Sequence, residues 1–475
     1  MPSSIKKNFF YNGVLSVVQV ITPLVTFPYI ARVLTPEGLG KVTIAESVTR
    51  YFILFAALGI PIYGMREVAK VKEDKNQIRK IFIELFTLHL VLSLFLLIGF
   101  PFVSSFFSLG SSYILVGSIM ILSNVFLLEW MFQGLEKFSF ITKRSIIVRI
   151  IVVGATFFLI KEKSDSVIYF GLICLTSVLN SGWNFFTILK EYSPQFFFNN
   201  IRVKIHIKPL LYIFSSLAFI SIYTLLDTLM LGVFTDDATV GYYATGVKFS
   251  RVPIMFISAL GSVMIPRLSE FYKKNMVIEY SELIDKSIRV ILIFSIPLFF
   301  LLISLSKEII LFFAGSQYTR SIIVLQILSI SSLLIGLSNI FGLQILTAMS
   351  KDKLFTQAVM IGTCISLLMN CFLIPLYNEV GAAIVSVIAE LTVTYFTFLY
   401  AKRFIKINFQ YRLFIKLIIS SAPIILLPKF FYLFSSSIII VLIGSAMSGF
   451  FYLLLIQIFF LKETLIINII KKIYA

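Results

Sequence analysis

Apolar residues fall in runs of about twenty, long enough to cross a hydrocarbon layer of about 30 Å as helices, with short polar clusters between them. The runs lie near 11–32, 42–62, 82–103, 112–132, 145–160, 167–189, 209–233, 241–265, 286–306, 321–346, 355–376, 381–401, 412–428 and 433–460. This pattern predicts an all-α polytopic membrane protein with about 14 transmembrane helices. The fifth run is short, and Pro423 and Pro428 interrupt and end the thirteenth, so twelve or thirteen spans also fit. Lys6 and Lys7 precede the first run without a small-residue cleavage site behind it, and that run is read as a retained span.

Basic residues test the map independently, because Lys and Arg collect in short cytoplasmic loops. Of 41 such residues, 31 fall in alternate segments counted from the N-terminus, seven in the intervening ones, and three, Arg50, Lys248 and Arg251, within spans. Lys137, Lys143, Arg144 and Arg149 belong to the internal set, around the entry to the fifth span. The asymmetry predicts an inner-membrane protein with both termini in the cytoplasm.

Composition narrows the function. With 59% apolar and 13% charged residues, the chain cannot be a soluble enzyme of its 475-residue length. A net charge of +18 would suit nucleic acid, yet no finger, ribonucleoprotein or helix-turn-helix pattern concentrates it. Cys174, Cys364 and Cys371 lie in apolar runs without metal-ligand spacing and read as buried small hydrophobes. There is no phosphate-binding G-x-x-x-x-G-K-[ST] segment and no loop long enough for a nucleotide-binding domain. Transport without a cofactor, driven by a proton or sodium gradient, is the expectation.

An internal echo organises the spans. LTPEGLGKVTIAESVTR in the first half overlays FTDDATVGYYATGVKFSR in the second, and Gly40/Gly241, Arg50/Arg251 and Arg66/Arg267 all share an offset of 201. Two parallel six-helix lobes, residues 1–206 and 207–403, are expected, followed by two additional helices in 404–475. Rocking of such lobes would open a cleft to alternate faces of the membrane.

Charges inside spans cost about 2.5–3.5 kcal/mol each on insertion scales and ask for a reason. Glu46 and Arg50 are one helical turn apart and can neutralise each other. Lys248 and Arg251 share a face of the eighth span with no acid on their own helix. They require a water-filled cavity, an anionic ligand, or an acid from another span, Asp227 or Glu129. Glu390 is the remaining strong candidate, and Glu84 and His89 are weaker, Glu84 being in reach of Lys80. A cavity with Arg50, Lys248 and Arg251 suits a phosphate-bearing lipid headgroup, since a guanidinium donates two parallel hydrogen bonds to two oxygens.

The segments PLVTFPYIARVLTPEGLGKVTIAESV (23–48), GMREVAK (64–70), QGLEKF (133–138) and DTLMLGVFTDDATVGYYATGVK (227–248) resemble the polysaccharide transporter, or O-antigen flippase, branch of the multidrug/oligosaccharidyl-lipid/polysaccharide (MOP) exporter superfamily. The resemblance extends over essentially the whole chain. It implies a MATE-like fold of two six-helix lobes, and a flippase that moves undecaprenyl-diphosphate-linked oligosaccharide repeat units from the cytoplasmic to the periplasmic leaflet before polymerisation. It also implies a substrate-binding set of Arg50, Lys248 and Arg251 with Arg32 at the outer rim, and coupling or cavity acids among Glu46, Glu129, Asp227 and Glu390. A polysaccharide polymerase and a chain-length regulator are the implied partners. A lipid II-type flippase and a multidrug or organic-cation antiporter of the same superfamily are the alternatives.

Overall fold

The computed structural model describes residues 5–192, 202–408 and 410–455. The end of the fourteenth run and Lys462, Lys471 and Lys472 lie outside the described residues. Among the described residues all regular structure is helical, as lipid requires, because a backbone without water must satisfy its own N–H and C=O groups within each segment. The chain packs as two units, Met1–Gly241 and Tyr242–Ala475.

The first unit holds α1 (Ile5–Ala57), α2 (Ile60–Lys70), α3 (Lys75–Ser105), α4 (Ser111–Val125), α5 (Glu129–Gly134), α6 (Phe138–Leu159), α7 (Ser166–Tyr192) and α8 (Lys204–Phe234). Its α1 is two spans in one. Thr35 sits at φ 63°, ψ 171°, where Pro36 removes an N–H and pushes the residue before it out of helical geometry. Contacts at the helix ends fall into two sets. Lys72–Glu136 (3.2 Å), Lys137–Glu191 and Arg79 to the Tyr192 carbonyl join the loops rich in basic residues at one end. At the other, Tyr29 donates to the Ile160 carbonyl (2.5 Å) and Tyr113 to Ser166 (2.8 Å).

The second unit begins inside α9 (Asp237–Ser250) and continues with α10 (Val252–Lys273), α11 (Val277–Phe313), α12 (Ser321–Leu328), α13 (Ser331–Asn339), α14 (Asp352–Ala401), α15 (Tyr411–Ser421), α16 (Leu427–Tyr432) and α17 (Ile438–Leu455). A π-helical stretch, Ile340–Thr347, follows α13. α14 folds back at Asn378 (φ 50°, ψ −129°). A side chain at Gly381 would stand 2.1 Å from the Leu373 carbonyl, so only glycine admits this turn.

Nine helical stretches among the described residues are long and apolar enough to span a membrane. Two of them, Gly13–Lys70 and Asp352–Ala401, each contain two spans joined at the breaks just described. With α6, α8 and the α9–α10 pair, the set agrees with fourteen. Large apolar side chains such as Ile98, Phe158 and Leu433 are exposed on the helix surfaces, as expected where the solvent is lipid.

Three local readings change. The fifth span starts at Phe138 rather than 145, so Lys143 and Arg144 belong to a helix and not to a loop, and Arg149 lies farther from its start. The fourth span breaks at Leu128 (φ 45°), and Glu129 opens the short α5. Of the three cysteines only Cys174 is buried, since apolar runs in a bilayer also supply the outer surface.

Candidate functional site

The second segment of α1 buries Val42, Ile44, Ala45 and Val48 in the first unit. That orientation leaves Glu46 and Arg50 on an adjoining face. Arg50 donates from Nε (2.9 Å) and Nη2 (2.6 Å), both to Oε1 of Glu46. The Arg50 side chain is 56% exposed against 25% for its partner. The expected i, i+4 pair therefore exists, yet it occupies only one edge of the guanidinium. Tyr51, the next residue, is within electrostatic reach of Asp227 on α8, which is buried, and Tyr169 on α7 is within reach of Glu46. Three helices of one unit thus bring two acids, an arginine and two phenols into one electrostatic neighbourhood.

Glu129, offered by sequence as a counter-ion for Lys248 and Arg251, is bonded instead to Arg144 on α6 (2.5 Å). Arg144 is only 1% exposed, and a second hydrogen bond ties it to Oδ1 of Asn184 on α7. The Asn184 amide in turn donates to the Leu127 carbonyl, one of the acceptors freed where α4 ends. The run of basic residues leading into the fifth span makes Arg144 read as a loop residue. No sequence signal links Glu129, Arg144 and Asn184, which come from three elements.

Glu84 does not pair with Lys80. It is buried, and its two oxygens take the Arg202 backbone N–H (3.0 Å) and Nε2 of His206 (2.8 Å). Nδ1 of His206 meets the Tyr63 hydroxyl at 2.8 Å. No sequence signal marks His206, because it stands among basic residues in the first turn of α8 and its partners are more than 120 positions away. His89 is buried on α3.

In the second unit, Lys248 is half-buried in the last turn of α9, and Arg251 is exposed at the break between α9 and α10. The break falls inside the single eighth span of the apolar pattern, where Arg251 keeps helical dihedrals just ahead of Pro253. Tyr243 and Ser386 bond at 2.8 Å between α9 and α14. Equal steps along these two helices put half-buried Glu390 at the level of Val247 and Lys248. At one end of this unit Arg320 forms two 2.7 Å hydrogen bonds to Glu379 and stacks 5.0 Å from the Tyr242 ring centre. Arg32 is exposed on α1, three residues before the Thr35 break. Near the opening of α9, burial pushes the Asp237 carboxyl above the usual range against the opposing pull of Lys41, 3.6 Å away.

The family model described as polysaccharide biosynthesis protein matches residues 5–272. A putative O-antigen transporter of Escherichia coli strain K12 is 26% identical over 407 residues, covering 82% of this chain and 95% of that protein. Among solved structures, the lipid II flippase MurJ in an inward closed conformation superposes with a TM-score of 0.78 at 18% identity, covering 96% of this chain and all of that one. An inward-facing multidrug resistance MATE family transporter of the MOP superfamily gives a TM-score of 0.63 at 13% identity, with 81% and 94% coverage.

Proposed function

The chain belongs to the polysaccharide biosynthesis protein family, and from that premise we propose that it is a flippase for undecaprenyl-diphosphate-linked oligosaccharide repeat units, moving them from the cytoplasmic to the periplasmic leaflet by alternating access. The observation that carries the reading is Arg50, a guanidinium well inside a span whose acidic partner occupies one edge only, leaving the rest of its donors facing outward. A diphosphate matches that donor geometry, because charge-assisted bonds to phosphate oxygens contribute about 1.5–3 kcal/mol each. In the second unit Lys248 and Arg251 are assigned the same ligand class, and Arg32 is assigned the outer rim.

The transport similarity of the E. coli relative and the MurJ-like and MATE-like folds support a transporter, and the lipid-linked sugar is the substrate class this reading adds. Both termini are placed in the cytoplasm, from the bias of basic residues. A proton or sodium gradient drives the cycle, with buried Asp227 as the first acid to test for a change of charge, followed by Glu390. A polysaccharide polymerase acts next on the flipped unit, and a chain-length regulator acts with it.

The test is deletion followed by complementation. Loss of surface polysaccharide, restored by the parent and not by Arg251→Ala at matched abundance, is the expected outcome. Loss of drug resistance alone would make the protein an antiporter, and lysis with arrest of wall synthesis would make lipid II its substrate.

A further inference from the structure

Arg149 counts with the internal basic residues in the charge pattern, but it lies midway along α6, about 15 Å from either end at 1.5 Å per residue. Two guanidiniums there share a single carboxylate. Glu129 is hydrogen-bonded to Arg144, and Arg149 is within its electrostatic reach but, among the described residues, makes no hydrogen bond of its own. The neighbourhood therefore carries an excess positive charge deep in the span, which costs free energy unless an anion visits it.

Arg149 also lines a cleft of about 310 Å³ between α1 and α6, whose other walls are Val18, Thr22, Ile146, Ile150 and Val153. One cationic side chain set among aliphatic ones matches a molecule with a phosphate group joined directly to a hydrocarbon chain. Ordinary phospholipids also bring a phosphate near hydrocarbon chains, through a glycerol, but their phosphates rest at the membrane surfaces, level with helix ends. An arginine side chain reaching toward one surface shortens a separation of about 15 Å only in part. A phosphate arrives at this depth while it is crossing.

We infer that the α1–α6 cleft is a transit site for the polyprenyl diphosphate of the substrate, in which Arg149 holds the diphosphate and the aliphatic walls hold the first isoprene units. This rests on the proposed function and adds to it a station in the first unit, separate from Arg50.

The experiment uses the full chain in phosphatidylcholine nanodiscs with undecaprenyl diphosphate bearing a diazirine on its first isoprene unit, and cross-linked peptides are mapped after illumination. Labelling of the segments around Thr22 and Ile150 is expected. It should fall at least tenfold in Arg149→Gln, which removes a charge-assisted contact, and less in Arg149→Lys. Ile150→Trp, which fills the cleft from an exposed position and keeps the guanidinium, should lower it as well, with melting temperatures reported for every variant. Labelling elsewhere in the chain but not in this cleft, or equal labelling in Arg149→Gln, overturns this inference alone. Equal labelling of the cleft by a diazirine-bearing phosphatidylglycerol makes it an ordinary lipid site and overturns it too. Absence of labelling anywhere in the parent overturns the proposed substrate class and this site with it.

Discussion

Two acid–arginine pairs lie in the membrane-spanning part of the first unit, and their bond lengths are nearly equal, 2.6 Å for Glu46–Arg50 and 2.5 Å for Glu129–Arg144. Their surroundings differ. Arg50 is more than half exposed and its partner is one turn away on the same helix, whereas Arg144 is enclosed and joined to groups on two other elements. A pair within one helix needs no tertiary structure to form and can yield to a ligand at small cost. A pair enclosed between helices has already lost its water, so losing either partner strands a charge. The same two residue types are thus assigned substrate contact in one place and architecture in the other.

The largest effect on folding is expected at the enclosed pair. Glu129→Ala leaves Arg144 buried without its carboxylate and should cost about 3 kcal/mol, the lower part of the range for broken buried pairs because Glu129 is itself one-third exposed. The readout is denaturant unfolding in detergent together with cellular abundance. Replacing both residues, Glu129→Leu with Arg144→Met, should recover part of the loss. A single variant as stable as the parent would remove the architectural assignment.

A second variant asks whether backbone packing matters as much as the buried charge. In the first unit a side chain on Gly40 would stand 1.7 Å from the Asp237 carbonyl, and one on Gly241 would stand 2.1 Å from that of Pro36. The two contacts are equivalent under the 201-residue interval of the internal repeat, which relates Gly40 to Gly241 and Pro36 to Asp237. Gly40→Ala should therefore cost about 1–3 kcal/mol, as overpacking does. Gly99→Ala, with nothing within 4 Å of the added carbon, should be neutral or slightly stabilising. Equal melting temperatures for the two variants would contradict the close crossing.

The smallest effect on stability, and the most specific effect on transport, belongs to the exposed pair. Arg50→Ala should change unfolding by no more than about 0.5 kcal/mol, since exposed i, i+4 pairs contribute little. Flipping of a lipid-linked oligosaccharide in proteoliposomes should nevertheless drop at least tenfold, with Arg50→Lys in between. Glu46→Gln releases the guanidinium and should tighten binding of undecaprenyl diphosphate. Should Arg50→Ala unfold readily while its surviving fraction transports normally, the roles of the two pairs would be reversed.

Much of the candidate site was legible where a polar residue interrupts an apolar run. Glu46, Arg50, Asp227, Lys248 and Glu390 stand out in this way, and the Glu46–Arg50 pair follows from helical spacing alone. Where charges sit at the edge of a run, the pattern misled. Lys143 and Arg144 read as loop residues because α6 begins with basic residues already inside the helix, and Glu84 reads as a partner for Lys80 because His206 is far away in sequence.

The sequence alone determined that the chain is an all-helical membrane protein, about how many times it crosses, and which spans carry charge. Those properties follow from transfer free energies and from the 3.6-residue period, which act over one helix at a time. Only the tertiary structure decided that Glu129 belongs to Arg144, that Glu84 belongs to His206, and that Arg149 faces a cleft on α1. Each of these depends on which helices become neighbours and on how far one is shifted along another, and apolar surfaces in lipid leave that choice to close packing and polar contacts between distant residues.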